Sequence, residues 1–138
     1  MVAAVSALVV SCCLTVFATV ASSWNYPGGY ALKALHQYHD EHMQAISKEP
    51  IKVHIDTASA MTGVSRFGEK DSAMWSYSKK EDLNDFSNFT YLLAERPEVT
   101  NFTVVRRVHG FDGVSTWPLS IKISPKIYVL ARANDPRK

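Results

Sequence analysis

The distribution of apolar and charged side chains divides the 138-residue chain into two unequal parts. Residues 2–21 carry no charge and are mostly apolar, whereas charged side chains recur from Lys33 onwards. A run of roughly 20 apolar residues, at about 1.5 Å rise each, matches the hydrocarbon core of a bilayer. The pattern therefore predicts a transmembrane helix over residues 2–22 and a soluble domain over residues 24–138.

Small side chains recur at every fourth position of the predicted helix. In lipid, such a series lets helix backbones approach each other closely. It favours a helix that belongs to a bundle, although small residues are also common in membrane helices generally. The series comprises Ala3, Ala7, Ser11, Thr15 and Thr19.

A cleaved signal peptide is the alternative for the apolar run, because the small residues at 19–22 could form a cleavage site. A signal peptide begins with basic residues and has a shorter apolar centre. The chain starts without Lys or Arg and its apolar run is longer, so a membrane helix is favoured. Neither flank is basic enough to predict the orientation of that helix.

The junction after the apolar run is rich in aromatic residues. Trp24, Tyr26 and Tyr30 have rings with one polar edge, which suit the boundary between lipid and water. The Pro-Gly-Gly sequence at residues 27–29 predicts a turn of the backbone. We interpret the junction as the exit of the chain from a membrane.

A helix is predicted next, because apolar residues from Leu32 to Ile46 are spaced by three or four. We expect it to end before Pro50. His36, His39 and His42 recur at every third position and spread over about 120° of its surface. Helical zinc pairs favour a spacing of four, so these histidines indicate a solvated face rather than a metal site.

The rest of the soluble part is predicted to be rich in strands. Strict alternation at residues 51–56 indicates a strand with its aliphatic side chains on one face. Residues 89–93 fit a strand or a short helix, and Trp75 and Tyr77 indicate a packed aromatic pair. Further strands are predicted at residues 103–108, 119–123 and 126–132, with a turn at residues 110–113. The predicted fold is a small mixed α/β domain, sheet-rich, after one transmembrane α-helix.

A loop rich in small and hydroxyl side chains is predicted over residues 57–67. Its backbone N–H groups and Arg66 could cradle a phosphate or a sugar. Alternatively, Asp56 caps the loop and Arg66 pairs with Asp56 or Glu69 in a structural role. The loop lacks phosphate-loop spacing, which favours the structural alternative. The candidate residues are Asp56, Thr62, Gly63, Ser65 and Arg66.

Composition narrows the functional classes. The 15 basic and 13 acidic residues give a formal charge of +2 without a basic stripe, which argues against a nucleic-acid partner. Both cysteines, Cys12 and Cys13, lie in the apolar run, so the soluble part has no disulfide framework. Its sequence contains no metal-ligand set, nucleophile elbow or nucleotide loop. We therefore assign no catalytic residue, no metal and no cofactor.

Two N-glycosylation acceptor sequences begin at Asn88 and Asn101. They favour a soluble part that lies in the lumen of the secretory pathway or outside the cell.

Two motif segments, together with further residues around the second, resemble the C-terminal end of one enzyme family. The second motif segment is Thr-Gly-Val-Ser-Arg-Phe at residues 62–67. Val-His-Ile-Asp at residues 53–56 precedes it, and residues 75–82 follow it. The family is that of the dolichyl-phosphate-mannose-dependent α-1,6-mannosyltransferases of lipid-linked oligosaccharide assembly. The resemblance covers most of the chain. The first segment includes Asn25, Tyr26, Pro27, Gly28 and Gly29.

This resemblance implies a polytopic membrane enzyme of the endoplasmic reticulum with the soluble part in the lumen. It implies transfer of mannose from dolichyl phosphate mannose to a lipid-linked oligosaccharide during assembly of the N-glycan precursor. The implied partners are the lipid bilayer, the dolichol-linked donor and acceptor, and further transmembrane helices of the full-length enzyme.

In that family the proposed catalytic acidic residue lies in the first luminal loop, which this chain does not contain. We therefore expect a C-terminal fragment of a polytopic protein, or a truncated gene product that starts at Met1, without transferase activity of its own. The alternative is a stand-alone module, membrane-anchored or secreted, that binds a glycan or a protein in the lumen.

Overall fold

The structure, a computed structural model, describes residues 1–42, 50–70 and 73–133. Within these residues an apolar N-terminal helix precedes a mixed α/β domain, as the sequence predicts. The helices are α1 (Val2–Ser23), α2 (Pro27–His42) and α3 (Thr57–Met61), with one 3-10 turn at Arg66–Gly68. The strands are β1 (Ile51–Ile55), β2 (Trp75–Ser78), β3 (Tyr91–Ala94), β4 (Phe102–Thr116) and β5 (Leu119–Arg132).

Helix α1 has no buried residue, so it adds nothing to the core of the α/β domain. Among the described residues it is the one helix long and apolar enough to cross a membrane. The Thr15 hydroxyl donates to the Ser11 carbonyl at 2.9 Å, and the Thr19 hydroxyl donates to the Thr15 carbonyl at 2.8 Å. These bonds satisfy the hydroxyls within the helix, which reduces the cost of placing them in lipid.

The described residues form a mixed five-stranded sheet in the order β2-β1-β3-β5-β4. Strand β1 lies parallel to both β2 and β3, whereas β5 lies antiparallel to β3 and β4. The carboxyl ends of β1, β2 and β3 therefore share one edge of the sheet. The Phe111 amide in β4 donates to the Trp24 carbonyl at 3.0 Å, so the end of α1 lies against the sheet.

The core lies between α2 and one face of the sheet. Leu35 of α2 is fully buried against aliphatic and aromatic side chains of β1, β3 and β5. Each such apolar side chain stabilises the fold by about 1.5–3 kcal/mol. The prediction that the aliphatic residues of β1 share one face is confirmed, and His54 is buried on the opposite face as well.

The start of α2 differs from the prediction. Residues 27–29 do not turn the backbone, because Pro27 begins α2 and the chain turns before it, at residues 24–26. Proline suits the first position of a helix, where its missing N–H group costs no hydrogen bond. The predicted end before Pro50, with Met43 and Ile46, lies outside the described residues.

The predicted loop after β1 contains a helix instead. Asp56 is the N-cap of α3, and its carboxylate accepts a hydrogen bond from the Ser59 amide at 2.7 Å. A helix of five residues is too short to show an apolar periodicity, so the sequence of this segment resembles that of a loop. The 3-10 turn that begins at Arg66 follows five residues after α3.

The last two strands are longer than predicted. Residues 110–113 do not form a turn but continue β4, with register shifts against β5 on either side of Phe111. Gly113 has a φ of 122°, which a glycine adopts readily at a bulge. Pro125 does not split β5. On the side of β5 that faces β3, only residues 128–131 are paired, so the missing N–H group of Pro125 costs no hydrogen bond there. At residues 89–93 the strand alternative is confirmed by β3.

The prediction that the histidines of α2 form a solvated face is wrong for His36 and His39. His36 and His39 lie edge-on against the ring of Trp75, both with ring centroids at 4.9 Å. Trp75 and Tyr77 form the predicted aromatic pair, with ring centroids 6.0 Å apart and planes 11° from parallel. The helix surface that carries His36 and His39 therefore packs on β2 instead of facing water.

Candidate functional site

The two motif segments meet at the carboxyl edge of the parallel strands. Helix α2 runs from this edge, so its first turn lies beside α3 and residues 62–63. A side chain on Gly28 would overlap the Ser59 carbonyl, and one on Gly29 would contact the Gly63 carbonyl at 3.1 Å. These two glycines permit a close approach of backbones, which makes the segments interdependent.

Thr62 joins the two segments through hydrogen bonds. The Gly28 amide donates to the Thr62 hydroxyl oxygen at 3.0 Å, and the Gly29 amide donates to the Thr62 carbonyl at 3.2 Å. The Thr62 hydroxyl in turn donates to the Ala58 carbonyl at 2.7 Å. The first amides of α2 are thus satisfied inside the protein, and this helix terminus is closed to an anion.

Asp56 uses both carboxylate oxygens within the fold. One oxygen caps α3, and the other accepts a hydrogen bond from the Glu95 amide at 2.6 Å. The carboxylate therefore joins the ends of β1 and β3, which is a structural task. This arrangement agrees with the structural alternative for Asp56.

Ser65 and Arg66 lie apart from this bonded cluster, on the surface. Within residues 1–42, 50–70 and 73–133 Arg66 forms no ion pair, so it pairs with neither Asp56 nor Glu69. The neighbouring Phe67 is completely exposed. The structure thus separates the candidate loop into a bonded part, residues 56–63, and an exposed part, residues 65–67.

A cluster of aromatic and titratable groups covers β2 beside α2. The His36 ring shares a hydrogen bond of 2.8 Å with the Tyr77 hydroxyl, which also accepts from the Lys70 amide at 3.1 Å. Burial lowers the pKa of His36 to about 4, and the charge of Lys70 adds to this effect. Burial raises the pKa of Tyr77. His36 is therefore neutral at physiological pH and packs, half-buried, against Trp75 and Tyr77.

A cavity of about 940 Å³ lies on the sheet face opposite α2. His54 and Leu92 line its floor, residues 83–87, 94–96 and 98–102 line its walls, and Arg132 contributes from β5. This cavity could not be predicted as a site from the sequence, although Asp56 and Asn101 in its lining were candidates on other grounds. Its one further signal was a histidine in the alternating strand at residues 51–56. The wall segments have no periodicity that would predict their meeting in the fold.

Both acceptor asparagines are exposed, Asn88 on a turn before β3 and Asn101 on the turn before β4. In the described part of the chain, no group of three or more His, Cys, Asp or Glu side chains is placed to hold a metal ion.

Comparison with known proteins assigns the family. The chain is 43% identical over 102 residues to the Dol-P-Man:Man(7)GlcNAc(2)-PP-Dol alpha-1,6-mannosyltransferase of Arabidopsis thaliana, a match that covers 71% of the chain. It is 33% identical over 138 residues to the protein of the same name in Drosophila melanogaster, with 86% of the chain covered. The chain belongs to this family of α-1,6-mannosyltransferases.

A probable α-1,6-mannosyltransferase of the same name in Schizosaccharomyces pombe is 36% identical over 101 residues and covers 67% of the chain. The three matches span 20%, 19% and 17% of the relatives, so the chain corresponds to about a fifth of the length of these mannosyltransferases. No protein-family profile matches the chain. No solved structure matches it either.

Proposed function

We propose that this chain is the membrane exit and luminal domain of an enzyme that transfers mannose from dolichyl phosphate mannose (Dol-P-Man) to Man(7)GlcNAc(2)-PP-Dol. The identity of 43% to the Arabidopsis mannosyltransferase carries the proposal. The contact of Gly28 with Ser59 and Thr62 supports it, because it shows that the two motif segments pack on each other in the fold. The chemistry itself belongs to parts of the relatives that this chain does not match.

In this proposal α1 spans the membrane of the endoplasmic reticulum and residues 24–138 lie in its lumen. The uniform exposure of α1 supports the bilayer as a partner. The series of small residues in α1, which includes Ala7 and Ser11, packs on further transmembrane helices of the full-length enzyme. The exposed positions of Asn88 and Asn101 support a luminal domain, because glycans are added there.

In this proposal the junction and the residue 56–63 cluster hold the domain in a fixed position above the membrane. Trp24 ends α1, and its carbonyl accepts the bond from Phe111 in β4. Thr62 and Asp56 then tie α2, α3 and the ends of β1 and β3 together. Exposed Ser65 and Arg66 are the members of the predicted loop that remain available to touch a substrate.

A chimera tests this proposal. The chain replaces the matching fifth of the Arabidopsis mannosyltransferase in cells that lack their own enzyme, and lipid-linked oligosaccharides are measured by mass spectrometry. We expect Man(7)GlcNAc(2) glycans to gain one hexose. The control is the Arabidopsis protein truncated before the matching segment, which should leave the glycans unextended. A correctly localised chimera that gives the same profile as the truncated control would contradict the proposal.

A further inference from the structure

The cavity opposite α2 contains two buried polar atoms that have no hydrogen-bond partner within the described residues. They are Nδ1 of His54 and Nη2 of Arg132. Only 6% of His54 is exposed, and its ring lies on the cavity floor. Buried polar atoms in folded proteins are nearly always hydrogen-bonded, so two unpartnered atoms on residues that line the same cavity point to a ligand whose polar groups reach them.

The charges of the cavity select against an anion. Four carboxylates line it, against the two guanidinium groups of Arg96 and Arg132. Burial lowers the pKa of His54, while nearby Asp56 raises it to a lesser extent, so the ring is neutral at physiological pH. A negative lining repels phosphate and pyrophosphate. The carboxylates are those of Asp56, Asp85, Glu95 and Glu98.

The same lining suits a neutral polyhydroxylated ligand. Carboxylates accept hydroxyl hydrogen bonds, guanidinium groups donate them, and a neutral imidazole does both. The ring of Phe86 lines the cavity 5.1 Å from the His54 ring, which offers an apolar surface for the C–H face of a sugar. The volume of about 940 Å³ lies near the top of the range of roughly 300–1,000 Å³ for ligand sites, so it exceeds the need of one hexose.

The cavity also reaches the edge of the domain where the chain leaves α1. Glu95 lines the cavity and also a smaller pocket of about 190 Å³ beside Trp24 and Asn25. The bond from the Glu95 amide to Asp56 fixes this edge. A glycan attached to a lipid extends from the membrane surface, so it would approach the cavity from this edge.

We propose that the cavity lined by His54, Phe86 and Arg132 binds a mannosyl arm of the lipid-linked acceptor glycan. This inference rests on the proposed function, because the relatives' names supply the acceptor. It adds an acceptor-binding role for the luminal domain.

Binding of the free Man(7)GlcNAc(2) oligosaccharide to the full chain in lipid nanodiscs tests the inference. A bacterial host is used, because it adds no N-glycan at Asn101 beside the cavity. Saturation-transfer NMR should detect mannose protons in contact with the protein. Thr100→Trp, which places a large ring at the exposed rim, should weaken binding at least tenfold, and so should Arg132→Gln.

His54→Phe keeps an aromatic ring against Phe86 but removes Nδ1, and we expect a similar loss with an unchanged melting temperature. Thr100→Trp keeps the test decisive if this buried variant does not fold. The matched control is Arg107→Gln, an exposed arginine of β4 outside the cavity, which should leave binding unchanged.

The inference would be overturned by no saturation transfer to the glycan, by equal binding to folded Thr100→Trp, or by equal binding of maltoheptaose. Displacement of the glycan by inorganic pyrophosphate would also overturn it and identify an anion site. An inactive chimera together with glycan binding would remove the proposed function but leave a glycan site. An active chimera without glycan binding would remove only this inference.

Discussion

At the scale of single residues, Asp56 joins more segments than its place in the sequence indicates. Its amide donates to the Leu93 carbonyl at 3.0 Å, and its two carboxylate oxygens accept from Ser59 and Glu95. One residue thus fixes the end of β1, the start of α3 and the end of β3. This fixes the edge of the domain that lies next to α1.

Replacement of Asp56 by alanine should lower the free energy of unfolding by about 2 kcal/mol. The lost N-cap contributes about 1 kcal/mol, and the lost bond to the Glu95 amide contributes a similar amount. Asp56→Ser keeps a capping oxygen and should lose about half as much. Chemical denaturation followed by tryptophan fluorescence measures both. Equal stability of the alanine variant and the parent would show that water replaces both bonds.

The burial of His36 makes the stability of the folded chain depend on pH. Burial lowers its pKa from 6.5 to about 4 in the folded chain. Between these values the unfolded chain binds a proton that the folded chain does not, so the unfolded state is favoured as the pH falls. The stability that depends on neutral His36 is complete above pH 6.5 and is lost progressively down to about pH 4.

His36→Gln should therefore reduce the fall in melting temperature between pH 7 and pH 4, because glutamine does not titrate there. Glutamine can retain a hydrogen bond to the Tyr77 hydroxyl. His109→Gln, at an exposed position of β4, is the control and should leave the fall unchanged. Parallel curves for the parent and His36→Gln would mean that other groups account for the pH dependence.

At the scale of elements, the contact between α2 and α3 depends on the absence of side chains. The Gly28 backbone lies so close to the Ser59 carbonyl that a methyl group there would displace α3. Gly68 is a useful contrast, because a methyl group there would meet only the Leu32 side-chain tip at 3.2 Å. A flexible side chain can move aside, whereas a helix backbone cannot do so without unpacking.

Gly28→Ala should therefore destabilise the domain by about 1–3 kcal/mol, the usual cost of overpacking. Gly68→Ala should change the free energy of unfolding by less than about 1 kcal/mol. Denaturation curves of the two variants and the parent make the comparison. Similar effects of the two substitutions would contradict the proposed role of the close approach at Gly28.

At the scale of the whole molecule, an exposed apolar helix leads directly into an α/β domain. The bond from Phe111 to the Trp24 carbonyl holds the end of that helix beside β4. The exposed α1 surface and the exposed asparagines are consistent with a bilayer on one side of the junction and a lumen on the other. The luminal assignment of residues 24–138 stays a prediction.

Expression with microsomes tests the luminal assignment. We expect two endoglycosidase-sensitive mass increments, one of which is lost in Asn88→Gln and one in Asn101→Gln, because both acceptors are exposed. The asparagine substitutions are preferable to changes at Thr90, whose hydroxyl accepts from the Lys52 amide at 3.3 Å. A membrane-inserted chain without either increment would place the domain in the cytosol.

The sequence by itself determined the features that depend on local pattern. The uncharged run at residues 2–21 predicted helix α1, and strict alternation at residues 51–55 predicted strand β1. The motif segments indicated the family, which the relatives confirm. These signals can be read locally because helix and strand periodicity, as well as motif identity, need no distant partner.

Only the tertiary structure decided which distant residues meet. Gly28 lies against the Ser59 carbonyl and His54 lines a cavity, because the sheet and the helices packed on it bring these distant segments together. The walls of that cavity come from segments whose sequences show no helix or strand periodicity, so their positions could not be predicted. The different surroundings of Asp56 and Arg66 are likewise decided by the tertiary structure. Asp56 lies where three segments converge, whereas Arg66 lies beyond that point, where its side chain points to solvent and has no neighbour to pair with among the described residues.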